Sequence, residues 1–196
     1  MMEMSPAHSL FSSLSCSNIS TKISLKVEKQ LYFMTELSLK MIVKLCTQAI
    51  TKDVWKLDSK CTSNFESAFS KFAEKLGYRA QYKPNEFHTI DMVWWSNGRM
   101  VAAIEHENKP TTVPDPIDDE WKKLTYIDAD YKILISYCTE MHKRKEWLKR
   151  ASETIAKNPR EKDAHYYLVL GDETFWGFRG YEFDNSGKLK NEVNSD

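Results

Sequence analysis

The sequence predicts one α/β domain, in which helices flank a mixed β-sheet and the core elements follow the order αβββαβ. The first observation behind this fold class is an apolar stripe at helical spacing from Phe65 to Leu76, which ends at Gly77. The second is a change to three extended runs within residues 78–107. The third is a short apolar run at 131–137, which lies between two helical patterns and suits a strand covered on both faces.

The N-terminal part of the chain divides near Met34. Residues 1–33 are rich in Ser, Thr and Lys and weakly patterned, so we expect a flexible extension. The sequence leaves open whether translation begins at Met1 or at Met34. A single domain is predicted for residues 34–196, with its core at about 62–170. Its first helix is predicted at 36–49, where apolar residues recur at helical spacing.

Capping and turn signals set the bounds of the next elements. The helix with the apolar stripe is expected to begin at a cap, Thr62 or Ser63, and to end at Gly77. Ser-Asn-Gly at 96–98 separates the last two extended runs, which predicts a hairpin. The strands are predicted at 78–82, 89–95 and 100–107.

Helices and strands alternate in the second half of the chain. Acidic residues at 118–120 match the positive end of a helix dipole and predict a helix over 117–127. The strand at 131–137 and a charged helix at 143–157 follow. The C-terminal part is predicted to be a β-hairpin of strands 165–170 and 174–183 that turns at Gly171-Asp172, with a polar, frayed tail from Asp184.

Composition limits the function. The 28 basic and 28 acidic side chains cancel, so nothing attracts the whole protein to a phosphate backbone, and any nucleic-acid contact must be local. The four cysteines lie far apart and lack the spacing of a zinc site, which suits a reduced, cytoplasmic protein. No run approaches the roughly 20 apolar residues that cross a bilayer. We therefore expect no membrane partner.

Acidic residues cluster around the predicted hairpin. Side chains alternate along a strand, so Val101, Ala103, Glu105 and Glu107 share one face, while His106 points to the other and has a structural role. Asp91 lies on the preceding strand and joins the two glutamates only in the right register. The alternative is that these acids form the solvated face of an edge strand.

The turn decides the register. A two-residue turn at Asn97-Gly98 places Asp91 opposite Ile104, on the wrong face, whereas a three-residue loop at 96–98 places it opposite Ala103 and diagonal to Glu105. We favour the three-residue loop because it unites the acids. A β-bulge nearer Asp91 would also correct the register.

Three clustered carboxylates repel one another unless a cation neutralises them, and hard divalent ions prefer oxygen ligands. We therefore expect Mg²⁺ or Mn²⁺ at Asp91, Glu105 and Glu107. Such an ion supplies a nucleophilic water near neutral pH and stabilises the charge on a phosphate under attack. The residues match the chemistry of phosphodiester hydrolysis.

The segment IDMVWWSNGRMVAAIEHEN resembles the PD-(D/E)xK nuclease superfamily. The pattern of that superfamily is a lone Asp in a strand, a turn, and an apolar strand that ends in Glu-x-Lys. Ile90-Asp91 and Ala103 to Glu107 occupy these places, and the resemblance covers about residues 62–138. It implies a restriction-endonuclease-like fold and an Mg²⁺-dependent nuclease that acts on DNA.

The resemblance also implies roles for single residues. Asp91 and Glu105 would be metal ligands, together with the backbone carbonyl of His106, and Glu66 would be an additional acid from the preceding helix. Glu107 departs from the pattern, since most members have Lys there, although a minority with Glu remain active. The missing cation has candidate replacements in Lys109 and in Lys122 or Lys123.

Contacts to DNA are expected from the basic run at 142–150, through its basic residues Lys143, Arg144, Lys145, Lys149 and Arg150. Trp94, Trp121 and Trp176 are candidates for stacking on bases. Two other hypotheses stay open: a catalytically inactive nuclease-fold protein that binds nucleic acid or a protein partner, and a small α/β interaction protein. Homodimerisation is also left open.

Overall fold

Seven strands lie side by side in one mixed β-sheet, in the order of the sequence. The computed structural model describes residues 36–55, 58–84, 90–108, 115–138, 140–159, 163–172 and 176–195. The strands are β1 (Arg79–Tyr82), β2 (Met92–Ser96), β3 (Arg99–His106), β4 (Tyr131–Tyr137), β5 (His165–Asp172), β6 (Gly177–Phe183) and β7 (Leu189–Asn194). β3, β4 and β5 are parallel to one another, and all other neighbours are antiparallel.

Helices cover both faces of this sheet. They are α1 (Leu39–Ala49), α2 (Lys52–Trp55), α3 (Asp58–Lys75), α4 (Lys122–Thr125) and α5 (Met141–Lys157), with a π-helical turn (Ile117–Trp121) directly before α4. α1 and α3 pack on one face, whereas the π-helical turn, α4 and α5 pack on the other. The predicted α/β class with a mixed sheet between helices is confirmed. None of the helices in the described ranges is long and apolar enough to cross a membrane.

Burial on both faces explains the apolar central strands. Every residue of β4 is buried, including Lys132 and Ser136, as the mainly apolar run at 131–137 predicted. Phe65 and Phe69 of α3 pack on one side of the sheet, and Trp121 and Trp147 pack on the other. The sheet therefore separates two hydrophobic cores, and residues Glu36–Asp196 form one compact unit. The predicted extension at 1–33 lies outside the described residues.

Helices α1 and α3 differ in how well their starts were predicted. α1 begins close to the expected place, where the Ser38 hydroxyl accepts a hydrogen bond from the Met41 amide at 3.4 Å. α3 begins at Asp58, so the prediction that Thr62 or Ser63 caps it is wrong. The helix extends further because Cys61, one turn before Phe65, continues the buried stripe. It ends as predicted before Gly77, whose φ is +79°.

The C-terminal part differs from the predicted hairpin. β5 continues through Gly171 and Asp172, which pair with Phe178 and Gly177, so the prediction of a turn there is wrong. The frayed tail is also wrong, because β7 pairs along β6 and extends the sheet. β7 is exposed and polar. A strand of this kind lies at the sheet edge through backbone hydrogen bonds and shows no apolar alternation in its sequence.

Candidate metal centre

The hairpin of β2 and β3 turns at Asn97 and Gly98, whose φ angles are +50° and +77°. Ser96 pairs with Arg99, so this is a two-residue turn and the three-residue loop that we favoured is wrong. The outcome follows local chemistry, because Asn-Gly suits the two left-handed positions of a tight hairpin turn. On its own, this turn would leave Asp91 on the wrong face of the sheet.

A β-bulge in β3 corrects the register. Trp95 pairs with Met100 and Trp94 with Ala102, so that Val101 is an extra residue on its strand. Beyond the bulge the pairing continues regularly and brings Asp91, the residue before β2, into line with Glu105. Val101 packs in the core beside α3, so the prediction that it shares the face of Glu105 is wrong.

Asp91 is connected to the end of β3 by a side-chain hydrogen bond. Its Oδ2 accepts from the backbone N–H of His106 at 3.0 Å. Because Asp91 lies just before β2, this carboxylate takes the place of a backbone acceptor at the point where the strand pairing ends. The bond therefore fixes Asp91 next to Glu105 and Glu107.

Glu105 is a buried acid, with an exposed fraction of 3%. Burial raises its pKa to about 9, and the negative charges of Asp91 and Glu120 add to this effect. β3 lies between β2 and β4, so the alternative of a solvated face on an edge strand is wrong for Glu105. A buried acid next to other acids is unfavourable for folding alone, which marks Glu105 as a candidate functional residue.

Lys123 is the cation that contacts this acid. Its Nζ lies 2.7 Å from Oε1 of Glu105, and it forms a second ion pair with Glu120. Partial burial disfavours the ammonium, but the hydrogen bonds to the two glutamates outweigh burial and raise the pKa of Lys123. The lysine therefore offsets part of the negative charge around Glu105.

These side chains line a cavity of about 280 Å³. Its wall consists of Lys83, Asp91, Glu105, His106, Glu107, Asn108, Glu120 and Lys123. All three acids predicted for the metal site line this one cavity. Carboxylate and carbonyl oxygens are the donors that hard divalent cations prefer, so the chemistry of the wall fits Mg²⁺ or Mn²⁺. Among the described residues, no three acidic, His or Cys side chains stand close enough to form a metal-binding group as they lie.

No known protein family has a model that matches this sequence, and no curated protein matches it. The resemblance to PD-(D/E)xK nucleases therefore rests on the residues around Asp91 and Glu105. Their placement at one end of the sheet is the observation on which a functional proposal can be built.

The other site residues have varied positions. Glu66 is half-buried on α3, Lys122 is exposed, and neither lines the cavity. Lys109 lies outside the described residues. Glu120 was missed as a site residue, because its acidic neighbours suggested only the start of a helix. The i, i+3 spacing of Glu120 and Lys123 was the available signal, since such pairs share one side of a helix.

His106 points away from Glu105, as the alternation of the strand predicted. Its ring stacks on Phe65 with 4.4 Å between centroids, and its Nε2 lies 3.1 Å from the Tyr137 hydroxyl. Burial lowers the pKa of His106 to about 4, so the imidazole is neutral at physiological pH. Only the main chain of His106 is on the side of the acids.

Only some of the basic residues predicted to contact nucleic acid have exposed side chains. Arg144 has an exposed fraction of 3% and donates to the Cys138 carbonyl and to Asp172, so its side chain is not exposed for the predicted contact with DNA. Arg150 forms ion pairs with three acids, Asp115, Asp118 and Glu146. Lys143 is half-buried against the Trp147 ring, which leaves Lys145 and Lys149 as exposed cations of α5.

The three tryptophans considered for base stacking also differ in exposure. Trp94 and Trp121 are fully buried in the two cores, so neither is exposed for stacking on bases. Trp176 is half-buried and contacts Phe178 edge to face, with 6.2 Å between centroids. In a sheet that is covered on both faces, large aromatic side chains mainly pack in the hydrophobic core.

Proposed function

We propose that this chain is a Mg²⁺- or Mn²⁺-dependent phosphodiesterase that cleaves DNA, a PD-(D/E)xK nuclease in which Glu-x-Glu replaces Glu-x-Lys. The observation that carries the proposal is the buried Glu105, which lies beside Asp91 and forms an ion pair with Lys123. The order α3, β1, β2, β3, α4, β4 agrees with the αβββαβ core that the resemblance implies. Glu105 and Glu107 lie at the carboxyl end of β3, where open α/β sheets commonly bind ligands.

Asp91, Glu105 and the carbonyl of His106 would hold the divalent cation, with Glu107 or Glu120 as a further ligand. When bound, the ion would lower the pKa of a coordinated water and stabilise negative charge on the phosphate. Lys123, which contacts Glu105, would position the attacking water through its ammonium group. It takes the role for which the resemblance expects a lysine at position 107, because a carboxylate cannot act as that cation.

DNA contacts are local in this proposal, as the zero net charge requires. Lys83 lies on the wall of the cavity and is exposed. β3 and β4 are parallel, so the start of α5, which follows β4, lies at the same end of the strands as Glu105. Lys83, Lys145 and Lys149 are therefore the cations that we expect to contact phosphates of the substrate.

The test is cleavage of supercoiled, linear, single-stranded and branched DNA in Mg²⁺ or Mn²⁺. We expect activity that EDTA abolishes and that falls at least 100-fold in Asp91→Ala, Glu105→Gln and Lys123→Ala, since removal of one such group costs about this much. Glu74→Gln is the matched control, because Glu74 is exposed on α3 and does not line the cavity. Activity that survives in Glu105→Gln would come from another site or a contaminant.

A second candidate is a catalytically inactive nuclease-fold protein that binds nucleic acid or a protein partner. Two observations favour it: Glu107 stands at the lysine position, and the Lys123 ammonium already contacts Glu105 at 2.7 Å. This candidate predicts no cleavage of any of these substrates in Mg²⁺ or Mn²⁺. Retained binding of labelled DNA without cleavage would favour it over the nuclease.

A further inference from the structure

We infer that Tyr137 and His106 are positioning residues of the metal centre, which fix the main chain at the end of β3 from the opposite face of the sheet. This inference rests on the proposed function, because the position of the main chain matters only if a cation binds there. The side chains of Tyr137 and His106 would not touch the cation and would act only through the main chain of His106.

The main chain of His106 serves the proposed site twice. Its N–H donates to Oδ2 of Asp91 at 3.0 Å, and its carbonyl is a proposed ligand. His106 is also the last residue of β3, where strand pairing with β2 has already ended. A shift of this one residue would therefore displace an Asp91 oxygen and the carbonyl together.

The His106 side chain is fixed by contacts behind the sheet. Its Nε2 forms a hydrogen bond with the Tyr137 hydroxyl at 3.1 Å. Its ring stacks on Phe65 at an interplanar angle of 25°, and Cys61, one helical turn before Phe65, lies 3.9 Å from Nε2. β4 and α3 thus contact this imidazole from two directions. With an exposed fraction of 9%, the ring has little room to change its position.

Gly171 on the neighbouring strand leaves the space that the Tyr137 ring occupies. These two residues pair across β4 and β5. A Cβ at position 171 would lie 2.5 Å from Cδ1 of Tyr137, which is closer than real Cβ contacts, so only glycine leaves space for the ring as it lies. Phe178 also contacts the Tyr137 ring edge to face, with 6.0 Å between centroids. Buried contacts therefore connect Gly171 to Asp91 through Tyr137 and His106.

Groups that orient metal ligands without touching the metal commonly change metal affinity 10- to 100-fold when they are removed. Tyr137→Phe removes one oxygen atom and keeps the ring, so it isolates the hydrogen bond to His106. Its matched control is Tyr167→Phe, because the Tyr167 hydroxyl is also buried on this face and donates to the Leu37 carbonyl at 2.7 Å. A merely structural role predicts similar effects of both variants.

The experiment measures the Mn²⁺ dissociation constant by calorimetry, together with the melting temperature, for the full chain and both variants. We expect Tyr137→Phe to weaken Mn²⁺ binding about 10-fold, and Tyr167→Phe to lower the melting temperature without weakening Mn²⁺ binding. His106→Gln, which offers an amide near the place of Nε2, should retain most of the affinity that His106→Leu loses.

Two negative outcomes are distinguishable. If the unaltered protein binds Mn²⁺ and both tyrosine variants bind it equally well, the positioning role is wrong and the proposed metal centre stands. If the unaltered protein binds no Mn²⁺, the proposed function is wrong and the positioning role with it. Should His106→Leu fail to fold, the comparison of the two tyrosine variants still decides.

Discussion

Glu105→Gln removes an acid that is buried and keeps nearly the same shape, so it separates the cost of the carboxyl group from the packing of its side chain. In the unfolded chain this acid ionises near pH 4.5, whereas in the folded protein its pKa is about 9. The unfolded state therefore releases a proton that the folded state retains, and the contribution of Glu105 to stability decreases as pH rises between these values.

The size of this effect follows from the pKa shift. One pKa unit corresponds to about 1.4 kcal/mol, so retaining the proton at about pH 7.5 costs the folded protein up to about 4 kcal/mol. The substitution also leaves Lys123 with Glu120 as its ion-pair partner, which offsets part of the gain. We expect Glu105→Gln to be more stable by about 2 kcal/mol, or about 4–8 °C in melting temperature for a chain of this size.

Thermal unfolding followed by circular dichroism at pH 5 and pH 8 measures this difference, with Glu74→Gln as the control. The gain should be small at pH 5 and large at pH 8, because only at the higher pH does the unfolded chain lose the proton. A gain of equal size at both values would exclude protonation as its cause. A loss of stability at pH 8 would show that Glu105 stabilises the fold, and the reasoning would be wrong.

Three further substitutions test other parts of the structure. Lys123→Ala leaves Glu105 and Glu120 without their cation and should lower the free energy of unfolding by about 1–3 kcal/mol. Added Mn²⁺ should raise the melting temperature of this variant. An unchanged free energy of unfolding would argue against the ion pairs. Gly180→Ala places a Cβ 2.5 Å from Cγ2 of Val43, so urea denaturation should show a loss of about 1–3 kcal/mol, and an unchanged midpoint would mean that α1 shifts freely on β6. Gly98→Ala places an alanine in a left-handed backbone conformation in the hairpin turn and should lower the free energy of unfolding by about 1 kcal/mol. Gly187→Ala is the matched comparison, because Gly187 has a similar φ but its Cβ would also lie 2.2 Å from the Ser152 carbonyl oxygen. Gly187→Ala should therefore lower the free energy of unfolding more than Gly98→Ala does.

The sequence predicted well those elements whose pattern depends on burial alone. The stripe through Phe65 predicted α3 up to its end before Gly77, and the apolar run at 131–137 predicted β4 to the residue. In both cases the hydrophobic period is a direct consequence of the surface that the element buries. The strand alternation that turned His106 away from Glu105 was predicted for the same reason.

The geometry of the site depended on features without a local signal. The extra residue in β3 lies within a stretch of apolar residues that is buried on both faces. One more apolar residue in such a stretch does not change the sequence pattern, so the bulge has no signal in the sequence. The side of the helix that carries Glu120 and Lys123 depends on the π-helical turn before α4, and a helical wheel drawn at 3.6 residues per turn misplaces side chains after such a turn. β7 went unpredicted because an exposed edge strand needs no apolar face.

The bulge at Val101 also bears on how this chain should be aligned with others. Since Val101 has no partner on β2, a deletion of this residue would leave Asp91 aligned with Glu105, and the turn at Asn97-Gly98 would keep its two residues. The hairpin can therefore differ in length by one residue while its acids keep their places. Alignments with homologous hairpins should be anchored at Asp91 and Glu105 and should allow a gap at Val101, because counting outward from the turn would pair the wrong residues.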